Sequence, residues 1–431
     1  MPIDLMSELA DLSRYTSFEH SKEMPRHRWY YFKEGFSPLL VEKAIERADI
    51  KKNDLVIDVF AGSGTVPLVS SDSNIRSIGF EVNPFMTFIS RAKLSNIKQS
   101  TFNFYYNNII AGIKKGEISN LEGYSTFTEN ENNEKWIFNK EILRSFEGGW
   151  EATKKIPYEV AKLYRLALVS ATMANANVTR DGKCLRYKKN WRDINYSKEN
   201  ILTDFENQCK MIADDLENSN ISTKATIIYG DVRKVFHKSE VNEFKLCVTS
   251  PPYLNSFDYS DIYRPELFLC KYVLNNNGLG KLRLNTLRSH MQINWDMPKK
   301  TEFGSVYQNC FNELVKRQEL FWNKKIPSMV QAYFEDIENL LIELKNKSKK
   351  DAQLWIVVST SAYAGVEIPV DLIIADIGAK IGWEYEEIIN TRHMRNSTQN
   401  AQKYNEGIGN VKRLRESIII LKNQDRCLRR K

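Results

Sequence analysis

The chain has 431 residues, and its 42% hydrophobic content is ample for a core, arranged as one large domain with insertions or as two to three domains. It holds no apolar run of the roughly 18 residues that a membrane helix needs, and its six cysteines are scattered without a Cys-x-x-Cys pair, which argues against a transmembrane span, a disulfide framework and a zinc site. The formal charge of +8 is compatible with a polyanionic partner, although charge alone selects none.

Residues 1–23 read as a polar leader, helical around Leu5 to Leu12. They lack the basic region and apolar core of a signal peptide. The scattered cysteines make a reducing cytoplasm the expected location. Arg26 to Phe36 is basic and aromatic. Ser37-Pro38 then has the N-cap and N1 pattern and predicts a helix through Arg47. Asp49 to Asp54 is a turn. Leu55 to Phe60 is short, apolar and β-branched, as a buried parallel strand should be. The small residues Ala61-Gly62-Ser63-Gly64-Thr65 follow, and the apolar residues after them suit a helix start. Strand, glycine turn and helix together let a backbone come close to a ligand.

The ligand class can be narrowed. A phosphate loop needs a lysine after Gly64, and a dinucleotide fingerprint needs a third glycine where Pro67 stands, so neither class fits. Ile75 to Val82 predicts a second strand ending in Glu81, an acid placed to accept both hydroxyls of a ribose. The expected cofactor therefore carries a ribose without requiring pyrophosphate contacts. Asn83-Pro84 opens a further helix, through about Asn96.

Residues 98–223 break the alternation. Thr101 to Trp136 shows little periodicity, whereas Ile156 to Ala174 and Thr203 to Leu216 have helical spacing. Between those helices, residues 180–192 hold six basic side chains, Arg180, Lys183, Arg186, Lys188, Lys189 and Arg192, with Tyr187, Trp191 and one acid. Such a run is often a solvated face, but interleaved aromatics favour phosphate and base contacts. The whole block is expected to be an insertion outside the sheet.

Ala225 to Tyr229 is the third predicted strand, ending at Gly230-Asp231, where Asp231 is placed to accept from an adenine amine. Lys245 to Thr249 is the fourth, and it delivers Thr249-Ser250-Pro251-Pro252-Tyr253. Each proline lacks an N–H, so the ladder stops there. The chain then holds a hydroxyl, a proline carbonyl and an aromatic ring in a stiff corner that suits a flat, amine-bearing ligand. A plain strand exit would look similar. What favours a site is convergence: Gly62, Glu81, Asp231 and Ser250 all fall at the carboxyl ends of strands, where open α/β sheets bind ligands.

Residues 260–325 form a second irregular block with Arg283, Arg288, His290 and Trp295. His290 is a candidate base, although a lone histidine in a basic stretch is more often a phosphate or structural contact. Ser328 to Lys345 predicts an amphipathic helix, Leu354 to Ser359 a fifth strand and Pro369 to Ile381 a helix. Tyr385 to Thr391 and Ser417 to Leu421 complete seven strands, separated by a polar loop, Arg392 to Asn410. The C-terminal tail is basic.

These motifs resemble those of amino-directed, S-adenosylmethionine-dependent DNA methyltransferases of restriction–modification type. Asp58-Val59-Phe60-Ala61-Gly62-Ser63-Gly64-Thr65 is similar to the cofactor-binding motif I. Gly79-Phe80-Glu81-Val82-Asn83-Pro84 resembles motif II, and Gly230-Asp231 fits motif III. Thr249 to Tyr253 resembles the catalytic motif IV in its Ser-Pro-Pro-Tyr form. Phe32 to Pro38, with Phe36, resembles motif X, which touches the methionine end of the cofactor. The late strands resemble motifs VI to VIII.

The resemblance implies an α/β, Rossmann-like seven-stranded methyltransferase sheet, mostly parallel with an antiparallel last hairpin, and two inserted regions. The catalytic domain would comprise 24–97, 224–259 and 326–423. It also implies S-adenosylmethionine as cofactor, double-stranded DNA as partner, a base flipped into the motif IV pocket, and room for a cognate restriction endonuclease. Ser250, Pro251, Pro252 and Tyr253 would be catalytic. The Ser-Pro-Pro-Tyr form is associated with cytosine N4, and Asp- or Asn-Pro-Pro-Tyr more often with adenine N6. The expectation is therefore a cytosine-N4 enzyme, with adenine-N6, and then RNA or protein, as alternatives. Ring-carbon methylation would use a Pro-Cys nucleophile, and no cysteine here follows a proline. Motifs III and IV are separated by a short loop only, so target recognition is assigned to 98–223 through Arg180, Lys183, Arg186, Lys188 and Lys189. Residues 260–325, through Arg288 and His290, are a second possible contact with DNA.

Overall fold

Apolar runs too short to be helices build the centre of the molecule. In chain order the strands are β1 (Leu55–Asp58), β2 (Arg76–Glu81), β3 (Val178–Asp181), β4 (Cys184–Tyr187), β5 (Ala225–Tyr229), β6 (Phe244–Thr249), β7 (Ser348–Ser359), β8 (Ser361–Tyr363), β9 (Val366–Ile368), β10 (Glu384–His393) and β11 (Arg415–Lys422). The computed structural model describes residues 12–394 and 414–424, apart from 183, 220, 222 and 223. Most of the expected leader helix, most of the Arg392 to Asn410 loop and the basic C-terminal tail lie outside the described residues.

Seven strands form one sheet in the order β10-β11-β7-β6-β1-β2-β5. β1, β2, β5, β6 and β7 pair in parallel, and β11 runs antiparallel to both β7 and β10. This is the expected mostly parallel α/β sheet with an antiparallel last hairpin. Side chains alternate across it, as the two-residue period of a strand requires. Leu246 and Val248 of β6 pack with Leu40, Val41, Val66, Trp355 and Ile418 on one face. Cys247 of the same strand packs with Ile57, Leu354, Ile374 and Ile419 on the other. Helices Pro38–Arg47 and Thr65–Asp72 cover the first face, and Ile326–Lys347 and Val370–Ile381 the second. Both faces are thus buried, which is why β1 and the second half of β7, Leu354 to Val358, are apolar at nearly every position.

The block 98–223 stays outside this sheet, as expected, but it is more regular than its composition suggests. Helices Gln99–Phe104 and Tyr106–Lys115 occupy the stretch read as irregular. In the second of these only Ile109 and Ile113 are buried, so the polar remainder hid the period. Together with Lys140–Thr153, Tyr158–Ala174 and Lys198–Asn218, these helices share one apolar cluster with Tyr30, Phe85 and Ile89. The insertion is therefore welded to the sheet's flank through the helix Pro84–Lys93. The basic run folds as the antiparallel pair β3–β4. Residues 260–325 likewise contain helices, Arg264–Leu269, Asn276–Leu284 and Ser305–Lys316. Among the described residues no helix is long and apolar enough to cross a membrane.

Candidate functional site

β1, β2, β5 and β6 bring their carboxyl ends to one edge of the sheet, and a cleft of about 1140 Å3, open solvent included, lies there. The turn after β1 forms its floor. Gly62 and Gly64 have φ of 50° and 85°, a region glycine occupies without strain. A Cβ on Gly62 would stand 3.0 Å from the Phe32 ring, and one on Gly64 2.9 Å from the Ser90 side chain. Ser90 Oγ fastens the turn by donating to the Gly62 carbonyl at 2.8 Å.

Glu81, at the end of β2, holds the same turn from the opposite side. Its Oε2 accepts from the Gly62 N–H and its Oε1 from the Asn83 N–H, both at 2.7 Å. Desolvation pushes its pKa up to about 7 against the pull of those donors. Asn83 caps the helix Pro84–Lys93 by accepting from the Phe85 N–H at 3.0 Å. Val59, Phe60, Phe80, Val82, Met86 and Val232 add apolar walls. A glycine floor without Cβ atoms, apolar walls and a strand-end carboxylate fit a nucleoside-bearing group.

A second cavity, about 740 Å3 with open solvent included, adjoins the first. Glu34, Gly35, Phe36, Ser250 and Tyr259 line both. Tyr253, Asn255, Phe257, Val357, Arg392 and Glu416 line only the second. Ser250 Oγ donates to the Val357 carbonyl at 3.1 Å, so its proton is engaged while its lone pairs can still accept. The Tyr253 hydroxyl donates to Glu416 Oε1 at 2.7 Å. Glu416 is 2% exposed and also accepts from Arg392 Nε at 2.6 Å. Burial, with Glu416 next in weight, drives the Tyr253 pKa well up, and the phenol stays neutral.

The structure sorts the residues singled out by the sequence. Phe36, Phe60, Ala61, Gly62, Ser63, Thr65, Glu81, Asn83 and Asp231 line the first cleft, joined by Ser250 and Pro252 from the corner. Asp58, Gly64 and Pro251 line neither cavity. Asp58 instead stands behind the turn, 1% exposed. Asp231 is already engaged, accepting from the Arg233 N–H at 3.1 Å and pairing with its guanidinium at 2.8 Å.

The basic residues divide as well. Arg180 pairs with Glu266 and lies 4.4 Å from the Tyr263 ring centroid. Arg288 is buried between Glu335 and Asp336, each at 2.7 Å. His290 is 2% exposed, lines the first cleft and has Nε2 3.0 Å from the Thr286 hydroxyl. Arg288 and His290 are buried, and Arg180 is half-buried with its charge engaged by Glu266, so none of the three stands free on an open surface, a correction to their reading as DNA contacts. A guanidinium taken out of water needs carboxylate partners, and both arginines have found them. Arg186 and Lys189 are exposed. Lys188 Nζ donates to the Ala174 carbonyl and the Tyr196 hydroxyl. Gly182, in the turn of the β3–β4 hairpin, reaches the second cavity. Lys183 lies outside the described residues.

Sequence reasoning missed Glu34, Tyr259 and Glu416. Glu34 sits inside the Phe32 to Pro38 stretch already singled out, and Tyr259 follows the Thr249 to Tyr253 corner by six residues, so both carried a signal of place. Nothing local pairs Glu416 with Tyr253, which lies 163 positions away.

Residues 11–92 match the N6/N4 methyltransferase family described as DNA methylase. The Type II methyltransferase M.AvaI of a Nostoc species is 27% identical over 436 aligned positions, covering 90% of this chain and 85% of that protein. The Type II methyltransferase M.BsoBI of Geobacillus stearothermophilus is 26% identical over 480 positions, covering 97% and 90%. The Type II methyltransferase M.MvaI of Kocuria varians is 22% identical over 448 positions, covering 97% and 96%.

Proposed function

We propose that this chain, an S-adenosylmethionine-dependent DNA methyltransferase of the N4/N6 amino family, methylates the exocyclic N4 amine of a cytosine turned out of double-stranded DNA. The observation that carries the proposal is the junction of two cavities at Ser250 and Phe36, one suited to the cofactor and one to a flat base. An enzyme that acts on an amine inside a duplex must extrude the base into a pocket of this kind.

S-adenosylmethionine supplies an electrophilic methyl group when bound. Phe36, the Phe60 to Thr65 turn, Glu81, Asn83 and Asp231 are the residues that would hold it. The target amine is a poor nucleophile, because its lone pair is delocalised into the ring. Ser250 answers this by accepting a hydrogen bond from the amine, since its own proton is given to Val357. The motif offers the Pro251 carbonyl as a second acceptor, but Pro251 is buried and lines neither cavity, so Ser250 is the acceptor that the site presents to the amine. Tyr253, its hydroxyl tied to Glu416, offers a face on which the base stacks, a contact of roughly 1–3 kcal/mol. Alignment of amine and methyl group supplies on the order of 7–11 kcal/mol without a covalent enzyme intermediate.

Serine at the first position of the motif, rather than Asp or Asn, supports cytosine over adenine. Residues 98–223 are proposed to read the DNA, with the β3–β4 turn beside the base cavity and exposed Arg186 and Lys189 meeting phosphates. The test is to incubate the protein with methyl-tritiated cofactor and equal masses of DNA, RNA and protein. Label should enter DNA alone; label in RNA or protein would overturn the reading.

A further inference from the structure

We infer that Glu34 is a catalytic residue whose carboxylate takes the proton that the target amine must lose on methylation. This rests on the amino-methylation reading above. As the new N–C bond forms, the sulfonium C–S bond breaks and its electron pair stays with sulfur. The amine nitrogen then carries a positive charge and one proton too many. The neutral methylated base appears only when that proton leaves.

The reacting atoms must meet where the two cavities join, and five residues line both sides of that junction. Gly35 and Phe36 have no side chain that takes a proton. Ser250 has given its hydroxyl proton to the Val357 carbonyl, and an alcohol is a weak base. Tyr259 is half-buried, and desolvation raises its pKa and keeps its phenol protonated. That leaves Glu34. The other carboxylates stand on one side only: Glu81, Asp231 and Asp258 line the first cleft, and Glu416 the second. Asp258 is also paired with Arg283 at 2.6 Å, and Glu416 with Tyr253 and Arg392.

Glu34 is held for the task. Its Oε2 accepts from the Tyr263 hydroxyl at 2.6 Å, which leaves Oε1 without a protein donor among the described residues. Tyr263 is in turn packed under Arg180, whose charge is engaged by Glu266. Glu34 is partly exposed and follows exposed Lys33, so the proton has a way to water.

Glu34→Gln tests this, because the amide keeps the size and the acceptor oxygen but cannot take the proton. A general base contributes typically 10²–10⁴-fold. Single-turnover methylation of a duplex by E34Q should therefore fall by about 100-fold or more. Binding of sinefungin by calorimetry, and of the duplex by fluorescence anisotropy, should stay within about twofold of wild type, a change of under half a kcal/mol. A loss below about threefold, or one matched by weaker sinefungin or duplex binding, would overturn the assignment. Glu34→Ser gives the same comparison if E34Q does not stay folded. Nucleoside analysis of the wild-type product separates the two claims, because a wild type that makes no methylated amine in DNA refutes the amino-methylation reading whatever E34Q does.

Discussion

The Thr249 hydroxyl donates to Asp58 Oδ1 at 2.7 Å across 191 positions of sequence. The same oxygen accepts from the Phe60 N–H at 2.9 Å. One buried carboxyl thus fixes the turn under the cofactor cleft and the residue that precedes Ser250. The two halves of the site are held in register by a side chain that touches neither cavity.

Asp58 carries a pH signature. Burial raises its carboxyl from 3.8 to about 7, so the folded state favours the protonated form. A raised pKa contributes stability that is fully present below the unfolded value and is lost as pH rises through the folded one. Asp58→Asn keeps an acceptor oxygen and removes this titration. D58N should therefore gain thermal stability relative to wild type between pH 5 and pH 8. A gap in unfolding temperature that does not change with pH would count against a buried, neutralised Asp58.

Glu81 is predicted to bind the cofactor ribose while it braces Gly62 and Asn83. Glu81→Ala removes an acceptor for those hydroxyls and frees two backbone N–H groups. Hydrogen bonds to charged groups are worth about 1.5–3 kcal/mol, so affinity should drop roughly ten- to hundredfold. Calorimetric titration with S-adenosylhomocysteine measures it, and an unchanged dissociation constant would remove Glu81 from the cofactor.

Tyr253 separates stacking from anchoring. Tyr253→Phe keeps the ring and loses the bond to Glu416, so most turnover should remain, with KM for DNA raised only a few-fold. Tyr253→Ala removes the platform and should weaken duplex binding by about 1–3 kcal/mol. Equal effects of the two substitutions on duplex affinity would show that the ring is not the contact.

Strand positions were legible because β1, β5 and β6 are short, mainly apolar runs and β2 carries buried Phe80, and each gives way to glycine, proline or acid. Leu354 to Ser359 was read as a strand, but β7 begins at Ser348, where a polar start has no apolar signature. The glycine turn was legible from composition, since only glycine tolerates those angles that close to Phe32 and Ser90. Arg288 was not legible. Its partner Asp336 lies 48 positions away, so a basic stretch looked like a surface when it was one side of an internal ion pair. Asp58 was read as a cofactor contact because it belongs to the motif, whereas it acts from behind through Thr249.

The most direct test of the account is the identity of the methylated nucleoside. Duplex DNA incubated with S-adenosylmethionine and either wild type or Ser250→Ala would be digested to nucleosides and analysed by mass spectrometry. Wild type should yield N4-methylcytosine, and S250A about 100-fold less of it, the scale of removing one preorganised hydrogen-bond partner, while still binding S-adenosylhomocysteine. N6-methyladenine from the wild type, or normal methylation by S250A, would contradict it.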